Sequence, residues 1–298
     1  MAKIKVTDTL EFPDIQSILE VTEDIDDVWE LLIDSFKADP RDLERNACAN
    51  KLIELNNMRS PEIIQELDEE QAELKEVLRG ISRRYGRRIE VLRRQKDIIG
   101  IIAKMIRLIK DGEKEGIKVF ASLERLHDFL GIRFVALTGE KDTPESQKMC
   151  YEIMNEILTH LVVKKNHTLA GLSVCQKKRE FEGILVPEKS LILPIFKDNV
   201  KDYVKWIKST KYQSLHAVPK NPNKREIEIQ VRTEEMDVRA IYDEQTGHDR
   251  HDAVRYDGIE IPVDLTKVNI RGFKYIDENR IYDRVGLVQS IDPLTLLD

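Results

Sequence analysis

The sequence predicts an α/β (α+β) protein, with N-terminal helices ahead of a mixed β-sheet of about five strands that is itself flanked by helices. Three observations carry this expectation. Over the first ~110 residues, apolar positions recur at helical spacing. From Gly131 onward, short β-branched runs bounded by glycine and turn clusters alternate with helical stretches. A chain of 298 residues, 41% hydrophobic and 35% charged, is long enough for one large or two small domains with a real core. With 13 Gly, 10 Pro and 3 Cys, the composition excludes a collagen-like repeat, a long disordered tract and a disulfide-stapled miniprotein.

In chain order, residues 15–36 repeat apolar positions at Ile15, Ile18, Leu19, Val28, Leu31, Leu32 and Phe36 but are broken by the acidic run 23–27, which predicts two short helices. Ser60-Pro61-Glu62 reads as an N-cap with proline at the first helical position, opening a long charged helix that ends near Gly86. A further helix is expected from about Ile89 to Ile109, stopping at Asp111-Gly112, with Ile98, Ile101, Ile102, Met105 and Ile109 inward. Residues 132–137, bounded by Gly131 and Gly139, read as a strand. Thr143-Pro144-Glu145 starts a helix whose apolar face is Met149, Ile153, Met154, Ile157 and Leu161. Strands are also expected at 183–186, 191–196, 214–218 and 226–231.

Charge is unevenly spread. Residues 1–80 carry 21 acidic and 9 basic side chains, net −12 against −7 for the whole chain, so the remainder carries +5. The basic excess is densest from Arg83 to Lys110, a cluster suited to a phosphate-bearing ligand. Cys48, Cys150 and Cys175 lie far apart with no CxxC pair, which fits a reducing compartment. The opening Met-Ala-Lys-Ile-Lys lacks the apolar stretch of a signal peptide, and no window offers a membrane span, so a cytoplasmic protein with no membrane partner is expected.

Four groups of residues point to chemistry. Arg94 and Lys96, then Gly100 and Lys104, fall on one expected helix with Lys96 and Lys104 two turns apart, a spacing at which cations grip a polyphosphate; alone they read more readily as a solvated basic face. Asp128 sits just ahead of a buried strand, where a carboxylate can serve Mg²⁺ together with substrate phosphates. The His127-Asp128 dipeptide, like His248-Asp249 and His251-Asp252, also fits a metal-dependent HD phosphohydrolase, but that needs histidines upstream and none precedes His127. Lys201, Tyr203, Lys208, Tyr212 and His216 combine cations, aromatic platforms and a histidine, the parts of a nucleotide site. Finally, strand alternation puts Glu228, Gln230 and Arg232 on one face, which ordinarily means solvent but opposite Asp128 would make an acidic metal and base site.

Taken in this order, the Arg-x-Lys pair 94–96, the Asp-x-x-Gly-Ile-Arg of 128–133, the Tyr-Gln-Ser-Leu-His of 212–216 and the Glu-x-Gln-x-Arg-Thr of 228–233 closely resemble the RelA/SpoT alarmone synthetase family over roughly residues 88–233. The resemblance implies a nucleotidyltransferase-like synthetase fold and a Mg²⁺-dependent GTP diphosphokinase. Such an enzyme transfers the β,γ-pyrophosphoryl group of ATP to the 3′-hydroxyl of GDP or GTP, making (p)ppGpp and releasing AMP. By motif position, Arg94 would pack on adenine while Lys96 and Lys104 hold the ATP phosphates. Asp128 would bind the metal, and Glu228 would help bind it and act as, or orient, the base. Tyr212 would stack on the acceptor base, with Lys201, Lys208 and His216 neutralising phosphate charge and Gln230 among the acceptor-binding residues.

Long family members carry an HD hydrolase domain ahead of the synthetase. Here the residues before the motifs hold no histidine, so a stand-alone synthetase is expected. The division expected along the chain is an acidic helical region at 1–85, serving packing, homo-oligomerisation or regulation; a synthetase domain at 86–250; and a C-terminal extension at 251–298 packing on it. Several departures bear on the acceptor. The family's serine between the two lysines is Gly100, its Pro-Lys-x-Asn-Gly-Tyr turn reads Ile207-Lys208-Ser209-Thr210-Lys211-Tyr212, and Asp237 follows Met236 where the family has histidine. The stretch from Asp128 to Lys201 is longer than usual and adds Lys164, Lys165, His167, Lys177, Lys178 and Arg179. These features keep two alternatives open: a relative of the toxic small synthetases that pyrophosphorylates the tRNA 3′ end or makes adenosine alarmones, and an inactive RNA- or partner-binding module.

Overall fold

The computed structural model describes residues 4–8, 10–22, 24–37, 41–96, 98–139, 141–172, 179–242, 274–277, 280–283 and 287–290. In chain order the elements are β1 (Ile4–Lys5), β2 (Glu11–Phe12), α1 (Ile15–Glu20), α2 (Ile25–Lys37), α3 (Leu43–Asn57), α4 (Pro61–Tyr85), β3 (Arg88–Gln95), α5 (Ile98–Lys114), α6 (Val119–Leu123), β4 (Leu130–Leu137), α7 (Pro144–Thr159), β5 (Thr168–Leu169), β6 (Val200–Asp202), β7 (Leu215–Ala217), β8 (Pro219–Lys220), β9 (Glu228–Thr233), α8 (Glu234–Tyr242), β10 (Lys274–Asp277), β11 (Arg280–Asp283) and β12 (Leu287–Ser290). They gather into two compact units: Met1–Ser60 with Lys96–Leu126 and Asp252–Asp298, and Pro61–Gln95 with His127–His251.

In the first unit the acidic run separates α1 from α2 as expected, because Asp26 and Asp27 occupy the first turn of α2, where carboxylates favour the start of a helix. Val28, Trp29, Leu32, Ile33 and Phe36 make the buried stripe of α2, and α3 answers with Cys48, Ala49, Leu52 and Leu55. The Asp42 carboxylate caps α3 by accepting from the Glu44 and Arg45 amides. Helix α5 buries the five residues its spacing predicts. It runs past Gly112 to Lys114, and Gly112 serves packing rather than termination, since a Cβ there would lie 1.9 Å from Ser122 Oγ. Strands β10, β11 and β12 form an antiparallel three-stranded sheet. Residues 259–263 and 285–288 also read as strand-like in the sequence; the first lies outside the described residues, and the second overlaps β12 (Leu287–Ser290).

The second unit is built on a five-stranded sheet of order β3-β4-β9-β7-β6. Only β4 and β9 run parallel; every other neighbouring pair is antiparallel. Ile132, Phe134, Ile229, Val231, Leu215 and Ala217 form the apolar core of the sheet. Helix α7 lies across β4, β9 and β7, while α4 packs on α7 and β3. Helix α4 ends where expected, at Gly86 with φ +60°. Helix α7 opens with a Thr143/Ser146 capping box and widens after Thr159 into a π-turn at His160–Lys164.

Three expectations are corrected. Residues 88–95 are a strand rather than the start of the helix that follows. The helical repeat begins only at Ile98, and the preceding eight residues pair one for one with β4. Residues 183–186 are irregular, with Gly183 at φ +74°. Residues 191–196 are not a strand, because Asn155 takes the Leu193 amide and the Leu191 carbonyl that a ladder would need, and a 3-10 turn starts at Pro194. Instead β6 supplies the outer strand, a polar segment whose Asp202 accepts the Tyr151 hydroxyl at 3.0 Å from both carboxylate oxygens.

Candidate active site

The parallel strands β4 and β9 begin at the same edge of the sheet. Glu228, the first residue of β9, pairs with Gly131, the second of β4, and Asp128 lies three residues before Gly131 in the segment feeding β4. The topology therefore brings both expected carboxylates to one edge. Arg94 of β3 pairs with Gly131 from the other side, so Arg94, Gly131 and Glu228 make one row across three strands. Only glycine fits the middle of that row, since a Cβ at 131 would sit 2.8 Å from the Glu228 carbonyl oxygen. The next row runs Leu92, Arg133, Gln230, His216 and Lys201, from β3 through β4, β9 and β7 to β6.

Residues of these rows are joined by a connected set of hydrogen bonds. Glu228 Oε1 is 2.8 Å from His216 Nδ1, and Glu228 Oε2 accepts from Gln230 Nε2 at 2.6 Å. His216 Nε2 is 2.8 Å from the Tyr212 hydroxyl, which accepts from Arg232 Nη2. Arg232 also donates to Gln230 Oε1 at 3.2 Å, Ser214 Oγ at 3.3 Å and Asp237 Oδ1 at 3.0 Å. Asp237 takes a second guanidinium, Arg133 Nη1, at 3.3 Å. Gln230 and Arg232 are each only 3% exposed, so the polar alternation of β9 faces a buried network rather than solvent.

Above this network lie two aromatic rings and a lysine. Lys208 Nζ is 4.3 Å from the Tyr203 ring centre and 4.7 Å from that of Tyr212, while Arg232 Cζ is 4.9 Å from Tyr212. Tyr203 meets His216 edge to face at 5.5 Å. Burial, only partly offset by Glu228, pushes His216 down to about 4, so the ring is neutral at physiological pH. It therefore supplies hydrogen bonds, and the positive charge expected of it from the sequence falls to Lys208 and Arg232. Burial works against the Arg232 charge, yet Tyr212 and Asp237 hold its pKa above the ordinary value.

Lys201 stands in register beside His216 on β6, half-buried. Lys96 and Lys104 belong to the other unit: Lys96 precedes α5, and only Gly100 and Lys104 are on it, so the three do not share a helix. Their expected ATP-phosphate role rests on the sequence alone. Sequence reading passed over Arg133 and Arg232 as parts of motifs and Asp237 as a mere departure. The signal for them is that Arg232 continues the alternation of Glu228 and Gln230, and a buried guanidinium needs an anion such as Asp237 within one turn of helix.

Among the described residues no helix is long and apolar enough to cross a membrane. Two small alarmone synthetases from Bacillus subtilis have similar solved structures. Synthetase 1, bound to its product pppGpp, is 18% identical, covering 58% of this chain and 72% of that one at a TM-score of 0.31. Synthetase 2 is 21% identical, covering 59% and 76% at 0.30. A guanosine-3′,5′-bis(diphosphate) 3′-pyrophosphohydrolase of Borreliella burgdorferi is 42% identical over 76 residues, which spans 25% of this chain and 11% of that protein. The region found in RelA/SpoT proteins matches residues 93–247, just over half the chain and every residue of the network described above. The chain belongs to the RelA/SpoT family.

Proposed function

We propose that the protein is an ATP:GDP/GTP 3′-pyrophosphotransferase that makes (p)ppGpp. The observation that carries this reading is Glu228, held by His216 and Gln230 on the same sheet edge as Asp128 and beside a tyrosine pair capped by Lys208. The acceptor 3′-oxygen forms a bond to the β-phosphorus of ATP as the bond from that phosphorus to the α,β-bridging oxygen breaks. AMP leaves with the bridging oxygen, and Glu228 takes or orients the hydroxyl proton. Such a transfer depends on positioning and charge, which this network supplies without a protein nucleophile. Tyr203 is half-buried and Tyr212 only 7% exposed, so a base stacking on Tyr212 has to move Lys208 from that ring or share it, and the lysine charge then lies next to the acceptor phosphates.

The donor set also fits Mg²⁺. Asp128 and Glu228 offer hard oxygens, and two carboxylates leave room for substrate phosphates. When bound, the ion would neutralise phosphate charge. Three of the added basic residues lend the tRNA alternative no support, because Lys165 reaches Glu73 at 2.6 Å, His167 approaches Glu70 at 3.6 Å and Arg179 donates to the Ile207 carbonyl. Those groups are engaged within the unit rather than arrayed for a polyanion.

The test is transfer of label from γ-labelled ATP with Mg²⁺ to GDP, GTP, ATP and bulk tRNA offered separately, with Glu228→Gln as the blank. Label on guanosine nucleotides, abolished by Glu228→Gln and by Asp128→Asn, is the expected result. Label on tRNA or adenosine nucleotides alone refutes the proposed acceptor, and near-normal turnover in either variant refutes the proposed site.

A further inference from the structure

The hydrogen positions in the network follow from which groups can donate. A carboxylate only accepts and a guanidinium only donates. Glu228 Oε1 therefore receives a hydrogen from His216 Nδ1, 2.8 Å away. With Nδ1 carrying the ring hydrogen toward Glu228, Nε2 is left as the acceptor, 2.8 Å from the Tyr212 hydroxyl. That hydroxyl accepts from Arg232 Nη2, so its own hydrogen goes to Nε2. Gln230 closes the ring, accepting from Arg232 at Oε1 and donating from Nε2 to Glu228 Oε2. The donation runs from Arg232 to Glu228 along two arms.

We infer that His216 is a positioning residue that ties the Tyr212 ring to the Glu228 carboxylate, so that seating the acceptor base and aiming the carboxylate at the acceptor hydroxyl are a single linked arrangement. The inference rests on the roles proposed above for Tyr212 and Glu228. It gives the Tyr212 hydroxyl, as distinct from its ring, a part in the transfer step: a base that stacks well but tilts Tyr212 loosens His216 and with it Glu228. Acceptor choice is then expressed in turnover as well as in binding.

Tyr212→Phe isolates the link, because it keeps the ring and deletes only the hydroxyl. It lowers kcat about tenfold while the acceptor KM stays within about twofold, the loss expected for one buried hydrogen bond acting on a positioned group. His216→Asn keeps a donor toward Glu228 and loses the acceptor toward Tyr212, and it lowers kcat to a similar extent. The double variant is no slower than His216→Asn alone, since both changes cut the same link. Additive losses, or a Tyr212→Phe effect confined to acceptor KM, overturn the inference.

Nitrogen-15 spectra of the His216 ring near pH 7.5 read the link without any turnover. They show the Nδ1–H tautomer in the unsubstituted protein and a changed tautomer balance in Tyr212→Phe. An Nε2–H tautomer, or a ring signal indifferent to the hydroxyl, overturns the link. If no acceptor is labelled at all, the proposed function fails while these spectra still decide the inference.

Discussion

Asp237→Asn is the sharpest test of the buried network. The carboxylate of Asp237 is 13% exposed and takes Arg232, 3% exposed, at 3.0 Å and Arg133, 11% exposed, at 3.3 Å. Asparagine keeps the shape and one acceptor oxygen but removes the negative charge that faces both guanidiniums. Charge-assisted hydrogen bonds contribute about 1.5–3 kcal/mol each, and breaking a buried pair from one side costs about 3–5 kcal/mol. Arg232 retains Tyr212, Gln230 and Ser214 as acceptors, which places the expected loss at about 2–4 kcal/mol. The assay is urea unfolding of the full chain followed by tyrosine and tryptophan fluorescence, with Asp68→Asn as the comparison. Asp68 also meets an arginine, Arg93, at 2.9 Å, but with 55% and 39% of the two side chains exposed, and such a surface pair is worth about 0–1 kcal/mol. A midpoint shift for Asp237→Asn no larger than that for Asp68→Asn would refute the view that Asp237 anchors two buried cations.

Other expectations follow from single contacts. Gly131→Ala drives a Cβ to within 2.8 Å of the Glu228 carbonyl, so β4 and β9 must part; a loss of about 1–3 kcal/mol in thermal or urea unfolding is expected, and an unchanged midpoint refutes the close approach. Burial pushes the Glu70 carboxyl up to about 7 from an ordinary 4.5, with Lys165 opposing. The folded state therefore holds that proton more tightly than the unfolded chain, stability falls as pH rises from about 4.5 to 7 and is level above, and Glu70→Gln stabilises by about 2 kcal/mol at pH 8 but not at pH 4. A stability difference independent of pH between the two proteins contradicts this. Lys211→Gly relieves a left-handed residue at φ +61°; about 1–2 kcal/mol of strain less about 0.4–1 for added freedom in the unfolded chain leaves a net gain of roughly 0.5–1 kcal/mol, read as a higher urea midpoint.

What could be read from the sequence depended on whether a local signal and the tertiary partner agreed. The capped helices α4 and α7 and the β-branched strand β4 announce themselves through proline, glycine and periodicity, and they form as expected. Strand β3 does not, because its arginines break the alternation and its identity comes from eight paired residues of β4, more than forty positions away at one end. Strand β6 is three residues long and polar, and it exists because His216 and Leu215 pair with Lys201 and Asp202. For the candidate site the motifs point to Asp128, Glu228, Gln230, Tyr212 and His216, yet the protonation of His216 and the weight carried by Asp237 depend on neighbours brought in from three strands and a helix. No single stretch of sequence contains them.

The same distinction bears on the altered turn at 208–212. Replacing the family's Asn-Gly by Thr210-Lys211 looks in sequence like the loss of a turn, since glycine there supplies left-handed backbone at no cost. Lys211 nevertheless adopts φ +61°, its amide donates to the Lys208 carbonyl at 2.9 Å, and the Lys208 amide reaches the Tyr212 carbonyl at 3.3 Å. The segment closes as a turn with Lys211 in strained left-handed backbone, and it delivers Lys208 to the faces of Tyr203 and Tyr212. An acceptor preference found in the transfer assay would then be sought in what replaces the glycine, namely the Lys211 side chain. Long-range charge of that kind weakens with salt, whereas stacking on Tyr212 does not.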